Sequence, residues 1–307
     1  MNAKKRSRGQ DTYAAELSRS PASGPLVTII RPSRGWVPVR LGDILQAREL
    51  LYFLIWAELK VRYKQTVLGV AWTVLQPLAI MIVFTVFFGL VIRVQTDVPY
   101  PIFAYSGLVM WTYFANALGQ SSNSLVRYEG LITKIYFPRL LIPISSILAG
   151  LVDFAIAFVV LIGLVAYFSI TRFGFVPTED IWTLPLFVLL AVATALAVSL
   201  WLSALNVQYR DVRLLVPVLI QLWFFATPII YPSTLIRDEG WRMLYHLLNP
   251  MVGVVEGIRW ALLGGTQASA IPAPSSTLAI TVPAVALLLV GGLYYFRRME
   301  RIFADVV

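Results

Sequence analysis

Three cations stand within five residues at the head of a long uncharged segment. They are Lys60, Arg62 and Lys64, in the stretch LKVRYKQTVLGVAWTVLQP at residues 59–77, and the next charge is Arg93. Cations so placed attract the anionic groups of a membrane surface or a lipid headgroup. Asp153 is the one charge in residues 140–171, and His246 is the one histidine of the chain. An acid isolated among apolar residues either bonds a neighbouring helix or relays protons; the interhelical polar role is the expectation for Asp153. His246 is expected to pack or to sit at an interface rather than act as a base.

Other chemistry is excluded by residue type. The chain has no Cys, so disulfides, thiolate zinc sites and Cys nucleophiles are ruled out. None of its lysines, Lys4, Lys5, Lys60, Lys64 and Lys134, is followed by Ser or Thr. A phosphate-cradling P-loop is therefore absent. H-E-x-x-H, D-x-D and G-x-S-x-G motifs are missing too, and no metal ligand set is expected. The net charge of +9 comes without any nucleic-acid reader motif, so no nucleic acid is expected as a partner. The excess of Lys and Arg instead fits orientation in a membrane and contact with anionic lipid.

The elements that position these residues are membrane helices. Charged residues make up 13% of the chain and hydrophobic ones 58%, against roughly 25% charged in soluble domains. Uncharged stretches of the ~20 residues that cross ~30 Å of hydrocarbon predict an all-α integral membrane fold. Six spans are predicted, near 67–92, 102–123, 141–169, 183–205, 214–231 and 277–296. An even number puts both termini on one side. On that side lie the collar, Arg127, Lys134, Arg139, Arg210, Arg213, Arg297, Arg298 and Arg301; the other has Arg93, Arg172, Arg237, Arg242 and Arg259. The positive-inside rule then places both termini in the cytoplasm, and the collar is first of all a topology anchor.

Two apolar segments are too short or too charged to span. LLYFLIWA, residues 50–57, reads as part of an amphipathic interface helix over 43–60, with Asp43 as N-cap and Tyr52 and Trp56 at headgroup depth. Residues 241–265 are divided by Asn249-Pro250 and carry Arg242, Glu256 and Arg259. They read as a re-entrant helical hairpin on the outer side, bordering a pathway. Residues 1–38 are expected to be a disordered cytoplasmic tail and 301–307 a cytoplasmic C-terminus, flanking a transmembrane domain over 39–300.

A protein built this way moves or holds something but carries no engine, so an energy source on another chain is expected. The loop RYEGLITKIYFPR, residues 127–139, is the expected docking element. Leu131, Ile132, Ile135 and Tyr136 share a helical face among Arg127, Glu129 and Lys134, and Pro138 stops the helix.

Four stretches, in order, carry a resemblance. R-Y-K-Q-T-x-L-G-x-x-W-x-x-L-Q-P, from Arg62 to Pro77, resembles the entry to the first span of permeases in ABC type-2 polysaccharide exporters. R-Y-E-G-L-I-T-K-I-Y-F-P-R-L-L-I-P at 127–143 is similar to their first coupling segment, and N-V-x-Y-R-D-V at 206–212, with Arg210 and Asp211, to the loop before span five. T-P-I-I-Y-P at 227–232 and L-N-P-M at 248–251 resemble the outer end of span five and the re-entrant hairpin. The resemblance covers about residues 40–300. It implies a homodimer of six-span subunits in the inner membrane, bound to two copies of an ATP-binding subunit that holds ATP and Mg. It implies export of an undecaprenyl-diphosphate-linked polysaccharide such as O-antigen, teichoic acid or capsule, O-antigen being favoured. It also offers Lys60, Arg62 and Lys64 as attractors of the lipid diphosphate.

A glycan path needs aromatic surfaces mixed with neutral donors and acceptors. Trp72, Thr73 and Gln76 on span one, Tyr105, Thr112 and Asn116 on span two, and Phe224, Thr227 and Tyr231 on span five are the expected lining; belt or core packing is the alternative for each aromatic. Two other functions compete: a membrane glycosyltransferase or lipid-phosphate enzyme, and an ion-coupled secondary transporter using Asp153.

Overall fold

In an apolar bundle every backbone N–H and C=O must find its partner within the segment, which leaves helices as the economical solution. The computed structural model describes residues 42, 46–64, 69–96, 98–135, 137–173, 179–236, 238–264, 274–300 and 303, and no strand occurs among them. All of these lie in one unit, residues 39–307. The expected tail at 1–38 and the Asp43 cap fall outside the described residues.

Helix α1 (Arg48–Tyr63) covers the segment expected as an interface helix and runs three residues past its predicted end. Glu49 in its first turn and Lys60 and Arg62 in its last suit the helix dipole. Lys64 ends it in extended backbone, ψ 130°. Leu54 and Glu58, one turn apart, are buried, while Tyr52, Phe53 and Trp56 are exposed. Helix α2 (Ala71–Phe84) runs on as a π-helical stretch, Thr85–Val91. Helix α3 (Tyr100–Ser122) is the centre of the fold, with 17 of its 23 residues buried.

Two short helices follow, α4 (Ser124–Arg127) and α5 (Glu129–Ile132). They replace the single amphipathic helix expected across 131–136. Only turns continue past Ile132, and the segment breaks again at Tyr128. Helix α6 (Leu141–Phe168) is followed by a π-helical turn, Ser169–Phe173. A 3-10 turn leads into α7 (Leu184–Gln208), then α8 (Val212–Ala226), α9 (Glu239–Leu248), α10 (Met251–Leu263) and α11 (Ser275–Met299).

Four helices among the described residues are long and apolar enough to cross a membrane: Ala71–Val91, Leu141–Thr171, Asp180–Gln208 and Thr277–Met299. The other two predicted spans behave differently. Helix α3 has the length, but it is enclosed by its neighbours and needs less apolar surface. Helix α8 is 15 residues, about 22 Å at 1.5 Å per residue, and stops at Ala226 rather than at 231. Thr227 turns extended, ψ 142°, with Pro228 next.

The helices pack through small residues. Gly292 of α11 lies where an added Cβ would meet Ala197 O at 2.9 Å. Trp201 of α7 stacks on Tyr295, centroids 4.9 Å apart, and donates Nε1 to Leu288 O at 3.1 Å. Where lipid offers as much apolar contact as a neighbouring helix, such close approach is what holds helices together. The larger core surrounds α3, with α6, α7 and α10. A smaller one joins Leu54, Leu125, Ile132, Phe137, Leu140, Phe296 and Phe303.

The segment expected as a re-entrant hairpin holds two short helices, α9 and α10, that break at Asn249-Pro250. Asn249 Nδ2 donates to Ala226 O at 2.9 Å and to Thr227 Oγ1 at 3.0 Å, and its Oδ1 accepts from Met251 N at 3.2 Å. One side chain thus caps α10 and ties the bend to the end of α8. The second arm, α10, is almost entirely buried. Gly257 meets the Phe187 ring of α7 so closely that any Cβ would overlap it.

Candidate functional site

Helices α1, α2, α3 and α6 enclose a cavity of about 570 Å³. Helix α2 contributes Trp72, Thr73 and Gln76, together with Gly69 just before it; α3 contributes Thr112, Tyr113, Asn116 and Gln120. Thr112, Asn116 and Gln120 recur at i, i+4 and i+8, so they form one stripe along α3. A second cavity of about 520 Å³ continues along the same wall, sharing Gln76, Thr112 and Asn116 and reaching Phe224 of α8. Amide and hydroxyl groups with tryptophan and phenylalanine faces therefore run along one continuous surface.

Among the described residues, the only charged ones lining the first cavity are Arg62 and Asp153. The Arg62 guanidinium and the Tyr63 hydroxyl both donate to the Asp153 carboxylate. The Arg62 side chain keeps 23% of its exposure and Asp153 13%, so the pair is withdrawn from bulk water yet open to the cavity. Lys60 and Lys64 are exposed and do not line it. They are one turn apart, and Arg62, midway, projects from the other side of the helix. The positive collar of the sequence is thus two outward lysines and one inward arginine whose charge is already matched.

One turn before Arg62, the buried Glu58 gathers a second cluster. It accepts from Arg127 Nη1 at 3.0 and 3.2 Å and from Ser146 Oγ at 2.9 Å. Tyr128 lies beside it; burial first, and then the Glu58 carboxylate, push this phenol up to about 12. Arg127 Nη2 donates to Gln120 Oε1 at 2.6 Å, and Gln120 lines the cavity. Polar contacts therefore lead from the 127–128 segment to the cavity wall. Sequence reasoning missed Glu58, Gln120 and Ser146. Each carried a signal in its spacing: Glu58 four residues after Leu54, Gln120 four after Asn116, Ser146 seven before Asp153.

The remaining expected site residues are placed as follows. Tyr105 is fully buried and donates to Ala157 O at 3.3 Å, behind the cavity wall. Phe224, Thr227 and Tyr231 do not share a face, because α8 ends between them. Phe224 lies against Phe84 and Trp111. Thr227 is buried, donating to Trp223 O at 2.8 Å, and Tyr231 donates to Phe225 O at 3.0 Å. In the 127–139 segment Glu129, Lys134 and Ile135 are exposed, Leu131 is half-buried and Ile132 is buried. The apolar face expected there is divided between the core and the surface, and Tyr136 lies outside the described residues. Arg210 and Asp211 are exposed between α7 and α8.

Helix α10 holds a buried arginine. Arg259 donates to Pro228 O at 2.6 Å, Phe103 O at 2.9 Å, Ile229 O at 3.0 Å and Ser106 Oγ at 3.4 Å. Its Cζ is 3.6 Å from the Phe103 ring centroid. Gly107 leaves room for it, since a Cβ there would stand 2.7 Å from Nη2. His246 is buried, its Nε2 3.9 Å from Glu256 Oε2.

Comparison with known proteins gives consistent matches. The family described as ABC-2 type transporter matches residues 49–263. The chain is 36% identical to an O-antigen export system permease protein RfbA of Myxococcus xanthus over 214 residues, 69% of this chain and 80% of that one. A protein of the same name from Klebsiella pneumoniae is 30% identical over 261 residues, 84% and 95% of the two chains. The polysialic acid transport protein KpsM of Escherichia coli is 26% identical over 217 residues, 68% and 79%.

Proposed function

Because this chain belongs to the ABC-2 type transporter family, we propose that it is the permease subunit of an ATP-driven exporter. Its cargo is a polysaccharide of O-antigen type, built on undecaprenyl diphosphate and moved outward across the inner membrane. The observation that carries the reading is the wall formed by Trp72, Thr73, Gln76, Thr112, Asn116 and Phe224 across two adjoining cavities. Neutral donors and acceptors beside aromatic faces suit a sugar chain, holding it by contacts that can exchange one for another. The ion pair of Arg62 and Asp153 borders the same space, where the diphosphate of a lipid-linked chain would arrive.

In this reading the permease domain is 39–300, with six spans, both termini in the cytoplasm and α9–α10 as the re-entrant hairpin. Two copies form the pathway, each bound to an ATP-binding subunit that carries ATP and Mg. The exposed Glu129, Lys134 and Ile135, with Arg210 and Asp211 on the next loop, offer it a docking surface. Arg127, held on Glu58 and Gln120, links that surface to the cavity rather than meeting the partner alone.

The test is transport. Inverted membrane vesicles holding this chain and its ATPase should take up lipid-linked glycan when ATP is added and not when a proton gradient alone is imposed. Uptake driven by the gradient without ATP, or ATP hydrolysis by the isolated chain, would overturn the proposal.

A further inference from the structure

We infer that Asp153 is a built-in counter-anion that occupies Arg62 until a diphosphate-bearing ligand displaces it, so that Asp153 sets both the affinity for such a ligand and its release. The inference rests on the exporter reading for its cargo, but its geometry is independent of it.

Among the described residues, Arg62 and Asp153 are the only charged ones lining a cavity whose other walls are neutral polar, aromatic and small apolar groups. An unpaired arginine there would hold any phosphate firmly in a site of low dielectric. A carriage site cannot bind so tightly, because the cargo must leave. The Asp153 carboxylate, fixed by Tyr63 as well as by Arg62, supplies the competing anion. Its own position is set by α6, which carries it one turn from Gly150, where an added Cβ would stand 3.4 Å from the Tyr113 ring. Arg62 is the movable member, a long side chain in the last turn of α1 beside Lys64, where the helix ends. Exchanging partners requires only that the guanidinium swing from the α6 side into the cavity.

The same placement separates this pair from the one next to it. Glu58 is 4% exposed and shared by Arg127, Ser146 and Tyr128, so no ligand reaches it, and α1 stays seated on α6 while Arg62 lets go. The ligand class is a diphosphate group, on a polyprenyl lipid or free.

If the pair leaves Arg62 free in about one molecule in ten, it weakens apparent binding about tenfold relative to an unopposed arginine. Asp153→Asn removes the competitor and keeps the shape. The full chain, in nanodiscs of neutral phosphatidylcholine, would be titrated with a short polyprenyl diphosphate and separately with inorganic pyrophosphate. Asp153→Asn should bind the lipid about tenfold tighter, while its ATP-driven export with the ATPase subunit slows several-fold. Arg62→Gln should bind about tenfold weaker. The double variant Arg62→Gln with Asp153→Asn should match Arg62→Gln in binding and the native chain in thermal unfolding, which separates ligand competition from misfolding. Equal tightening for pyrophosphate identifies the diphosphate itself as the determinant; tightening for the lipid alone assigns the site to a headgroup; either supports the inference. Unchanged or weaker binding by Asp153→Asn, with Arg62→Gln still impaired, overturns the counter-anion and leaves the headgroup site standing. No change in either single variant overturns both.

Discussion

Arg62, at the end of the interface helix, and Arg259, in the second arm of the hairpin, are both drawn out of water, and they are held in contrasting ways. Arg259 is met by three carbonyl oxygens and a hydroxyl from α3 and the 228–229 segment, with the Phe103 ring against its plane. Among the described residues none of its hydrogen-bond acceptors is a carboxylate, and every one but the Ser106 hydroxyl is backbone that has no rotamer to change. Arg62 has a single carboxylate and open space beside it. An arginine held by several backbone groups fixes the fold; one held by a single side chain at a cavity can change partners.

Substitutions can break or sharpen that contrast. The largest effect is expected at Arg259. Arg259→Met strands the buried carbonyl groups of Pro228 and Ile229, and at roughly 1–3 kcal/mol for each unsatisfied group the hairpin should come off α3. Arg259→Lys should fail nearly as badly, since an ammonium has no planar fork to span separate carbonyls. Both should show as loss of folded protein in detergent, by size-exclusion chromatography and thermal unfolding. A well-folded Arg259→Met protein would remove the distinction drawn here.

Next comes Gly257→Leu, which drives a side chain into the Phe187 ring. Overpacking of this kind costs about 1–3 kcal/mol, and the melting temperature should fall without loss of the helical signal. Glu58→Gln should follow, because it weakens the charge-assisted bond from Arg127 while keeping some of the hydrogen bonding. A cycle with Arg127→Met measured by thermal unfolding should give a coupling of about 1 kcal/mol. Zero coupling would mean that the 127–128 segment is not mechanically joined to α1.

The smallest stability effect is expected for Ile135→Asp. Ile135 is 57% exposed, so the melting temperature should hold while co-purification of the ATP-binding subunit is lost. Undiminished capture would move the docking surface to Arg210 and Asp211. This substitution is a cleaner test than one at Leu131, which the structure places partly in the second core.

Much of the architecture was legible in the chain. Long uncharged stretches place helices at Ala71–Val91, Leu141–Thr171, Asp180–Gln208 and Thr277–Met299, because hydrocarbon thickness dictates length and the absence of water dictates helix. The bend at Asn249-Pro250 was legible as well, since proline cannot continue α9. The end of α8 was misplaced although Pro228 marks it, because Pro217 is carried inside the same helix and a proline alone does not say which of the two ends it. The docking of Thr227 under Asn249 and of Ile229 and Ile230 in the core shows that residues 227–231 leave the helix.

Within the bundle, periodicity carries little information. A helix between lipid and protein is apolar on both sides, so sequence alone does not say which face of α3 meets a cavity. Thr112 and Asn116 were found because polar residues are scarce there, while Tyr105, on the same nominal stripe, is sealed against Ala157. The sequence by itself determined the helical class, the four long apolar helices, the distribution of cations and the absence of a phosphate-binding loop motif, since these follow from local composition and the solvent the chain must meet. The tertiary structure alone decided that Arg62 finds Asp153 91 residues away, that Glu58 is a buried hub, and that Arg259 is satisfied by carbonyls. Partner choice for a charge in a low-dielectric interior depends on which groups the folded backbone brings within reach, and that distance is not written in the spacing of residues along one helix.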